Sequence, residues 1–371
     1  MRVLHVISGD LWAGAEVQAF YLLEALKRQT GTDLHAVLMN EGQLATHLRT
    51  IGIVVDVLPE RQMSAKQILS GLRRLLYQVR PDVIHSHRFK ENILSSIANA
   101  STIRAACVRT VHGAEETTSR GWRHIKSNVL RSLDRFCQIH LQDSTIAVSN
   151  GLGESLRASL PRQLHDSVVV IENGIDVDRV RCEAASSTVR TSSEVRIGIV
   201  GRLVPVKRVD LFLDAAALLQ QRSPQVNWSF NIFGDGPLRD TLQEHARALQ
   251  IERQTKFHGH RTDIIACIAS LDVLVMPSDH EGLPMTLLES VAVGTPIVAH
   301  GVGGISNVLK ACSGGILVTK HDAMSYADSI LEMLKRPKDQ VRLALQARAD
   351  MYSSERSARE TLALYRRLLP A

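Results

Sequence analysis

Val273-Leu274-Val275-Met276-Pro277-Ser278-Asp279-His280-Glu281-Gly282-Leu283-Pro284-Met285-Thr286-Leu287-Leu288-Glu289-Ser290 is a strand, a short loop and the start of a helix, in that order. The apolar run 273–276 is a buried strand that stops at Pro277. Pro284 suits the first helical position, and Gly294 followed by Pro296 ends the helix. Glu281 therefore falls in the loop, and Glu289 about one and a half turns into the helix. The loop N–H groups and the positive end of the helix lie between the two carboxylates.

The same succession of strand, glycine loop and helix occurs twice more. One copy is Ile197-Gly198-Ile199-Val200-Gly201-Arg202-Leu203-Val204-Pro205-Val206-Lys207-Arg208; the other is Val3–Ile7 followed by Ser8-Gly9-Asp10-Leu11-Trp12-Ala13-Gly14-Ala15-Glu16. Working outward, strands are expected over 3–7, 34–39, 53–58, 82–85, 105–111, 145–148 and 168–171, with amphipathic helices such as 16–27, 68–78 and 125–136 between them. Residues 181–194 are rich in Ser, Thr and Ala without periodicity, as in a linker. A second series follows, with strands over 195–200, 228–233, 273–276, 296–299 and 316–318. Such alternation implies parallel sheets covered by helices on both faces. The expected fold is α/β, with two Rossmann-like, doubly wound domains over 1–180 and 195–353. A last helix, 354–369, has no parent domain fixed by sequence and could pack back on the first. Two such domains would face each other across a cleft at the C-terminal ends of their strands, where sheets of this type bind ligands.

The 371 residues are 44% apolar and 22% charged, an ordinary globular balance with length enough for two domains. No run approaches the roughly 18 apolar residues of a membrane span. The start of the chain suits a first strand better than a secretory leader, which points to the cytoplasm. Five scattered cysteines without a Cys-x-x-Cys pair imply neither a disulfide framework nor structural zinc. The net charge of +6 is evenly spread, with 21 basic against 18 acidic residues through Val180 and 23 against 20 after it. With aromatics at 4% and no concentrated basic footprint, nucleic acid is not an expected partner.

Chemistry concentrates at the loops. Gly9 and Gly14 have P-loop spacing, but Ala15 stands where that motif needs lysine, which argues against a nucleoside triphosphatase. What remains is a glycine turn whose N–H groups could face an anion, or equally a turn that needs glycine for conformation alone. In the second unit Arg202 and Lys207 stand at the two ends of one loop and could grip a diphosphate, Arg as a planar fork and Lys as a point charge; elsewhere they would be solvated cations. A ligand with a central diphosphate would fit Glu281 and Glu289 too, its phosphates at the helix start and a carboxylate accepting from hydroxyls on each side. His85 and His87 could suggest a metal, but no third ligand lies at suitable spacing.

Taken together, these ordered motifs resemble the retaining glycosyltransferases of family four, which have the two-domain GT-B architecture. Glu281 through Glu289 looks like that family's Glu-x7-Glu motif, and Gly201-Arg202 with Lys207 like its phosphate-binding pair. Asn173-Gly174-Ile175-Asp176, Phe233-Gly234-Asp235-Gly236-Pro237 and Gly301-Val302-Gly303-Gly304 are further family-like turns. The resemblance implies a nucleoside-diphosphate sugar donor and a hydroxyl acceptor, with no cofactor and no metal. It implies that Arg202 and Lys207 hold the diphosphate and Glu289 the ribose hydroxyls. Glu281 would face the transferred sugar with backbone donors from Gly282, Leu283, Pro284 and Met285, and Gly14 and His112 would approach from the first domain. Gly259 and His260 would lie by the nucleobase. Two departures from the family pattern are Ala13-Gly14-Ala15-Glu16, where many relatives have paired glycines, and Asn307, where Gly-Gly-x-x-Glu is common. The segment from Arg120 through Arg135 has five basic residues against one acidic, Asp134, with an apolar side of Ile125, Val129, Leu130 and Leu133. It suits either an ordinary surface helix or attachment to an anionic membrane surface. The latter gains weight for a lipid-linked acceptor, with attachment at the inner face of the membrane. A GT-B nucleotide-sugar epimerase and a non-catalytic nucleotide-sugar sensor are the alternative functions.

Overall fold

The computed structural model describes residues 1–10, 12–113, 122–186 and 193–370, the stretch 122–128 by its backbone alone. It divides into two compact units, Met1–Gly174 with Ser354–Ala371, and Ile175–Ser353.

Among the described residues the first unit holds seven strands: β1 (Arg2–Ile7), β2 (Asp33–Leu38), β3 (Val54–Val57), β4 (Val83–Ser86), β5 (Ala106–Val111), β6 (Ser144–Ala147) and β7 (Val168–Val170). All pairings are parallel, in the order β3-β2-β1-β4-β5-β6-β7. The described residues of the second unit hold six: β8 (Val195–Val200), β9 (Trp228–Phe233), β10 (Thr255–Gly259), β11 (Val273–Met276), β12 (Ile297–His300) and β13 (Gly315–Val318), also all parallel, in the order β10-β9-β8-β11-β12-β13. Helices cover both faces of a parallel sheet, which is why central strands are apolar throughout rather than alternating. Every residue of β9 and β11 is buried.

In each sheet the strand order reverses once, between β1 and β4 and between β8 and β11. There the loops leaving two neighbouring strands diverge and open a crevice beyond their C-terminal ends. The loops that matter are therefore those after β1, β4, β8 and β11.

Three expectations change. Residues 181–185 are not linker: Val177–Ala185 is a helix, capped by Asp176 accepting from Arg179 N–H (3.1 Å) and packed on the helices Ile264–Ala269 and Met285–Val293. A capping Asp two residues after Gly174 outweighs the Ser/Ala-rich composition that follows. Residues 187–192 of the expected linker lie outside the described residues. Strand β10 has no counterpart in the sequence reading because Lys256 and His258 stand exposed on this sheet edge and break the apolar run. Pro284 is the N-cap, and the helix begins at Met285.

The helix Ser354–Leu368 belongs to the first unit. Leu362, Leu364 and Tyr365 enter one core with Leu23, Leu26, Leu38 and Leu44, and Arg28 meets Glu355 at 3.0 Å. A separate core on Leu4, Val6, Ile68, Leu72 and Ile84 includes residues of the helix Ala65–Val79.

Candidate functional site

At the reversal point of the second unit, the loop after β8 starts at Gly201 and ends in a 3₁₀ turn, Pro205–Lys207. Gly201 N–H donates to Phe233 O (2.9 Å) and Leu203 N–H to Asp235 O (3.0 Å). A Cβ on Gly234 would lie 1.9 Å from Gly201 O, so only glycine lets the loops after β8 and β9 lie this close. The scaffold places Arg202 and Lys207 on one depression with Ile199, Leu203 and Phe233. Arg202 is exposed.

The loop after β11 meets the same loop. Lys207 Nζ lies 2.5 Å from Glu281 Oε1, with the Glu281 side chain only 10% exposed. The loop after β12 supports Glu281 from behind: Gly304 N–H donates to Gly282 O (2.6 Å), and a Cβ on Gly303 would stand 1.9 Å from Glu281 O. The helix Met285–Val293 opens on Pro284 without a capping side chain, so the positive end of its dipole is turned to this loop. Glu289, on the second turn, is 4% exposed. Burial, aided by the nearby Glu183 carboxylate, pushes its carboxyl up to about 7.

In the first unit the reversal point is lined differently. His5 of β1 is paired in register with His85 of β4, and Ser86 is followed by His87. His5 Nδ1 and His87 Nε2 share a hydrogen at 3.0 Å. His85 is bound at both nitrogens, by Tyr365 OH (2.5 Å) and Thr110 Oγ1 (2.7 Å). The ring of His87 stacks on His85 (centroids 4.5 Å, 17°) and on His112 (5.7 Å, 18°). Burial holds these four imidazoles well below the ordinary histidine range, His87 at about 3, so the column is neutral. Beside it, the Arg88 guanidinium lies 2.8 Å from the buried Glu16 carboxylate and 3.6 Å from Asp10. Burial nonetheless pushes Glu16 up to about 7.

Sequence spacing offers His85 and His87 no third partner, and strand register corrects this. Nitrogens of His5, His85 and His87 lie within 4.8 Å of one another. The three rings are also bound to one another and to their surroundings: His5 lies 28° from His87 and 39° from His85, His5 Nδ1 shares a hydrogen with His87, and both His85 nitrogens are taken by Tyr365 and Thr110. The cluster has the donor type of a metal centre, with part of its donor capacity engaged in these hydrogen bonds.

The remaining expected positions fall as follows. Gly282, Leu283 and Met285 are buried beside Glu281. Gly259 ends β10 and accepts from Gly234 N–H (2.8 Å), while His260 beyond it is exposed. Gly14 opens the helix Gly14–Lys27, and a Cβ there would meet nothing within 4 Å among the described residues, so the protein's own packing does not require a glycine. Asn307 is half-buried on the helix Gly304–Leu309. Arg120 and Gly121 lie outside the described residues. On the helix Trp122–His140, Asp134 is buried and bonded to Arg109 (2.6 Å) and Asn92 (2.8 Å), whereas Val129 and Phe136 are exposed. Val129 therefore does not belong to a packed apolar side. Sequence reasoning misses Arg208, Asp279 and His321, which bracket the Lys207–Glu281 pair. Arg208 and Asp279 stand within two residues of it in the chain, but nothing local marks His321.

Two family models match successive parts of the chain, Glycosyltransferase Family 4 over residues 12–179 and Glycosyl transferases group 1 over residues 183–350. The chain is 23% identical over 359 residues to the UDP-Gal:alpha-D-GlcNAc-diphosphoundecaprenol alpha-1,3-galactosyltransferase of Escherichia coli, covering 90% of this chain and 88% of that protein. It is 30% identical over 285 residues to a glycogen synthase of Mycobacterium tuberculosis, covering 74% of this chain and 65% of that one. Among solved structures, HepE of Anabaena in complex with UDP superposes with a TM-score of 0.81 at 19% identity, covering 99% and 100% of the two chains. Sucrose-phosphate synthase of Thermosynechococcus elongatus gives 0.77 at 16% identity, covering 99% of each. With one glycosyltransferase domain on each of two parallel-sheet units, this chain belongs to the GT-B glycosyltransferases.

Proposed function

We propose that the chain transfers a sugar, with retention at the anomeric carbon, from a uridine-diphosphate sugar to a hydroxyl of a lipid-linked acceptor. The observation that carries this reading is the Lys207–Glu281 pair at the reversal point of the second sheet, with Arg202 beside it and an uncapped helix start behind. Cations and a helix N-terminus there suit a diphosphate; a carboxylate there suits sugar hydroxyls. The choice of UDP is supported by the galactosyltransferase of Escherichia coli and by HepE in complex with UDP, and the lipid-linked acceptor by that same galactosyltransferase.

In this mechanism the acceptor oxygen forms its bond to the anomeric carbon on the face from which the diphosphate leaves. The bond to the phosphate oxygen breaks, and that oxygen takes the acceptor's proton. Arg202, Lys207 and the positive end of the helix Met285–Val293 stabilise the charge growing on the diphosphate, so the reaction needs neither metal nor cofactor. Glu289 accepts from the ribose hydroxyls, and His260 and Gly259 border the base. The helix Trp122–His140 presents Val129, Phe136 and Arg135 outward, with its acidic Asp134 turned inward, and rests on the anionic inner face of the membrane. No helix among the described residues is long and apolar enough to cross a membrane.

The test is a thermal-shift panel of UDP-, GDP- and ADP-sugars followed by a transfer assay, with product stereochemistry read by NMR. A melting point raised by UDP-sugars and an α-linked product from an α-linked donor are expected. An epimerised donor, or binding without turnover, would replace this reading with the epimerase or the sensor. Co-sedimentation with anionic liposomes tests the membrane face, and absence of binding removes it.

A further inference from the structure

Three consecutive residues of the loop after β8 each reach the loop after β11. Val206 O accepts from Asp279 N–H (2.9 Å), Lys207 Nζ meets Glu281 Oε1 (2.5 Å), and Arg208 Nη1 meets Asp279 Oδ1 (3.4 Å). Arg208 sits in the left-handed region (φ 48) and is anchored from its own helix by Asp210 (3.0 Å). From a third direction His321, just before the helix Ala323–Lys335, donates Nε2–H to Pro277 O (2.7 Å) and brings Nδ1 to 3.4 Å from the same Asp279 Oδ1. The ring of His321 is itself braced edge-on by His300 at 4.1 Å. Both ends of the segment 277–281 are therefore tied, one end to Arg208, His321 and the Val206 carbonyl, the other to Lys207.

We propose that Asp279, held by Arg208 and by its own N–H on the Val206 carbonyl, in a segment that His321 ties at Pro277, is a positioning residue that sets the reach of Lys207 to Glu281 and thereby the affinity for the donor's diphosphate. This rests on the donor-site reading above. A long flexible lysine loses much rotamer freedom when it must stand at one point. Tying its neighbours on both sides to the carboxylate loop prepays that ordering before the nucleotide arrives, and a preorganised cation binds more tightly. Asp279 touches no reacting atom in this scheme and acts through Lys207.

The experiment titrates the full chain calorimetrically with UDP, GDP and ADP, using wild type, Lys207→Ala, Asp279→Asn, the double variant, His321→Gln and His321→Ala, with melting points recorded alongside. Asp279→Asn keeps its backbone N–H for Val206 and should weaken the best-bound nucleotide about tenfold, with little change in melting point. The double variant should bind no more weakly than Lys207→Ala alone, a non-additivity expected only if Asp279 acts through Lys207. Gln at 321 can still donate to Pro277 O and should stay within about twofold of wild type, while Ala should weaken binding about as much as Asp279→Asn. Additive losses in the double variant, or wild-type affinity in Asp279→Asn while Lys207→Ala is weakened, overturn the positioning role and leave the donor site standing. Wild-type affinity in Lys207→Ala, or no binding of any of the three nucleotides, overturns the donor-site reading and this inference with it. If Asp279→Asn does not fold, Arg208→Gln, which removes the charge facing Asp279, takes its place, and the same loss of affinity and the same non-additivity with Lys207→Ala are expected, additive losses overturning the positioning role.

Discussion

The two units share one plan, a parallel sheet whose strand order reverses once, yet they line the reversal differently. In the first unit it holds a column of neutral imidazoles, from Tyr365–His85 to His87 and His112, with the Arg88–Glu16 and Arg88–Asp10 pairs at its side. In the second it holds charge, with Lys207 on Glu281 and Arg208 on Asp279. Topology fixes where a ligand can sit, and the side chains decide what it can be. Charged loops suit a diphosphate whose negative charge grows during reaction. A neutral, preset wall suits groups that stay uncharged, such as sugar hydroxyls.

The sharpest way to break this contrast is to remove charge from the second unit. Lys207→Ala and Arg202→Ala should each lower turnover by about 10²–10³-fold while melting normally, as losing one preorganised donor to a developing anion does. Near-normal turnover in both would show that the charge at this crevice does not serve the reaction. Next come the glycines. Gly234→Ala drives a Cβ into Gly201 O and should cost about 2–4 kcal/mol in chemical denaturation, whereas Gly14→Ala should shift stability by less than about 0.5 kcal/mol and act only on kinetics. Equal losses of stability would erase the difference between a packed loop and an open one.

Acid acts on the first unit through its histidines, offset in part by Glu16, whose folded pKa of about 7 favours the fold as pH falls. Each histidine of the column has a folded pKa below its unfolded value near 6.5. The unfolded state therefore binds more protons as pH falls, and the stability the neutral column contributes is lost from about pH 6.5 down to about 3. Calorimetry across that range should show the first unit's transition falling, and replacing His87 by Phe, which keeps a stacking ring without a titrating nitrogen, should lessen the slope. Glu289 runs the other way, with a folded pKa of about 7 above its ordinary 4.5. Its protonated form favours the fold at low pH, a contribution lost as pH rises from about 4.5 to 7. Its ionised form is the better acceptor for ribose hydroxyls, so nucleotide affinity should rise a few-fold between about pH 6 and 8 and become flat in Glu289→Gln.

Much of the fold is legible in the chain because period and punctuation are local. Apolar runs ended by Pro277, Gly201 and Ser8-Gly9 mark strand ends, and Gly294-Thr295-Pro296 marks a helix end. The edge strand Thr255–Gly259 escapes that reading because half its side chains face solvent. The helix Val177–Ala185 escapes because composition speaks for a linker where a cap at Asp176 starts a helix. At the site, Arg202, Lys207, Glu281 and Glu289 stand out because they punctuate strand–loop–helix units. His5 and His321 do not, since each meets its partners across strands or from a distant turn.

By itself, then, the chain determined two doubly wound units and the residue types at their strand ends, because hydrophobic period, glycine turns and caps act over a few residues. Only the tertiary structure decided that Lys207 pairs with Glu281, that Asp279 stands between Arg208 and His321, and that four histidines stack into one column. Such contacts depend on which strands become neighbours and in what register. That is settled by packing whole sheets and helices together, at separations along the chain where no local pattern reaches.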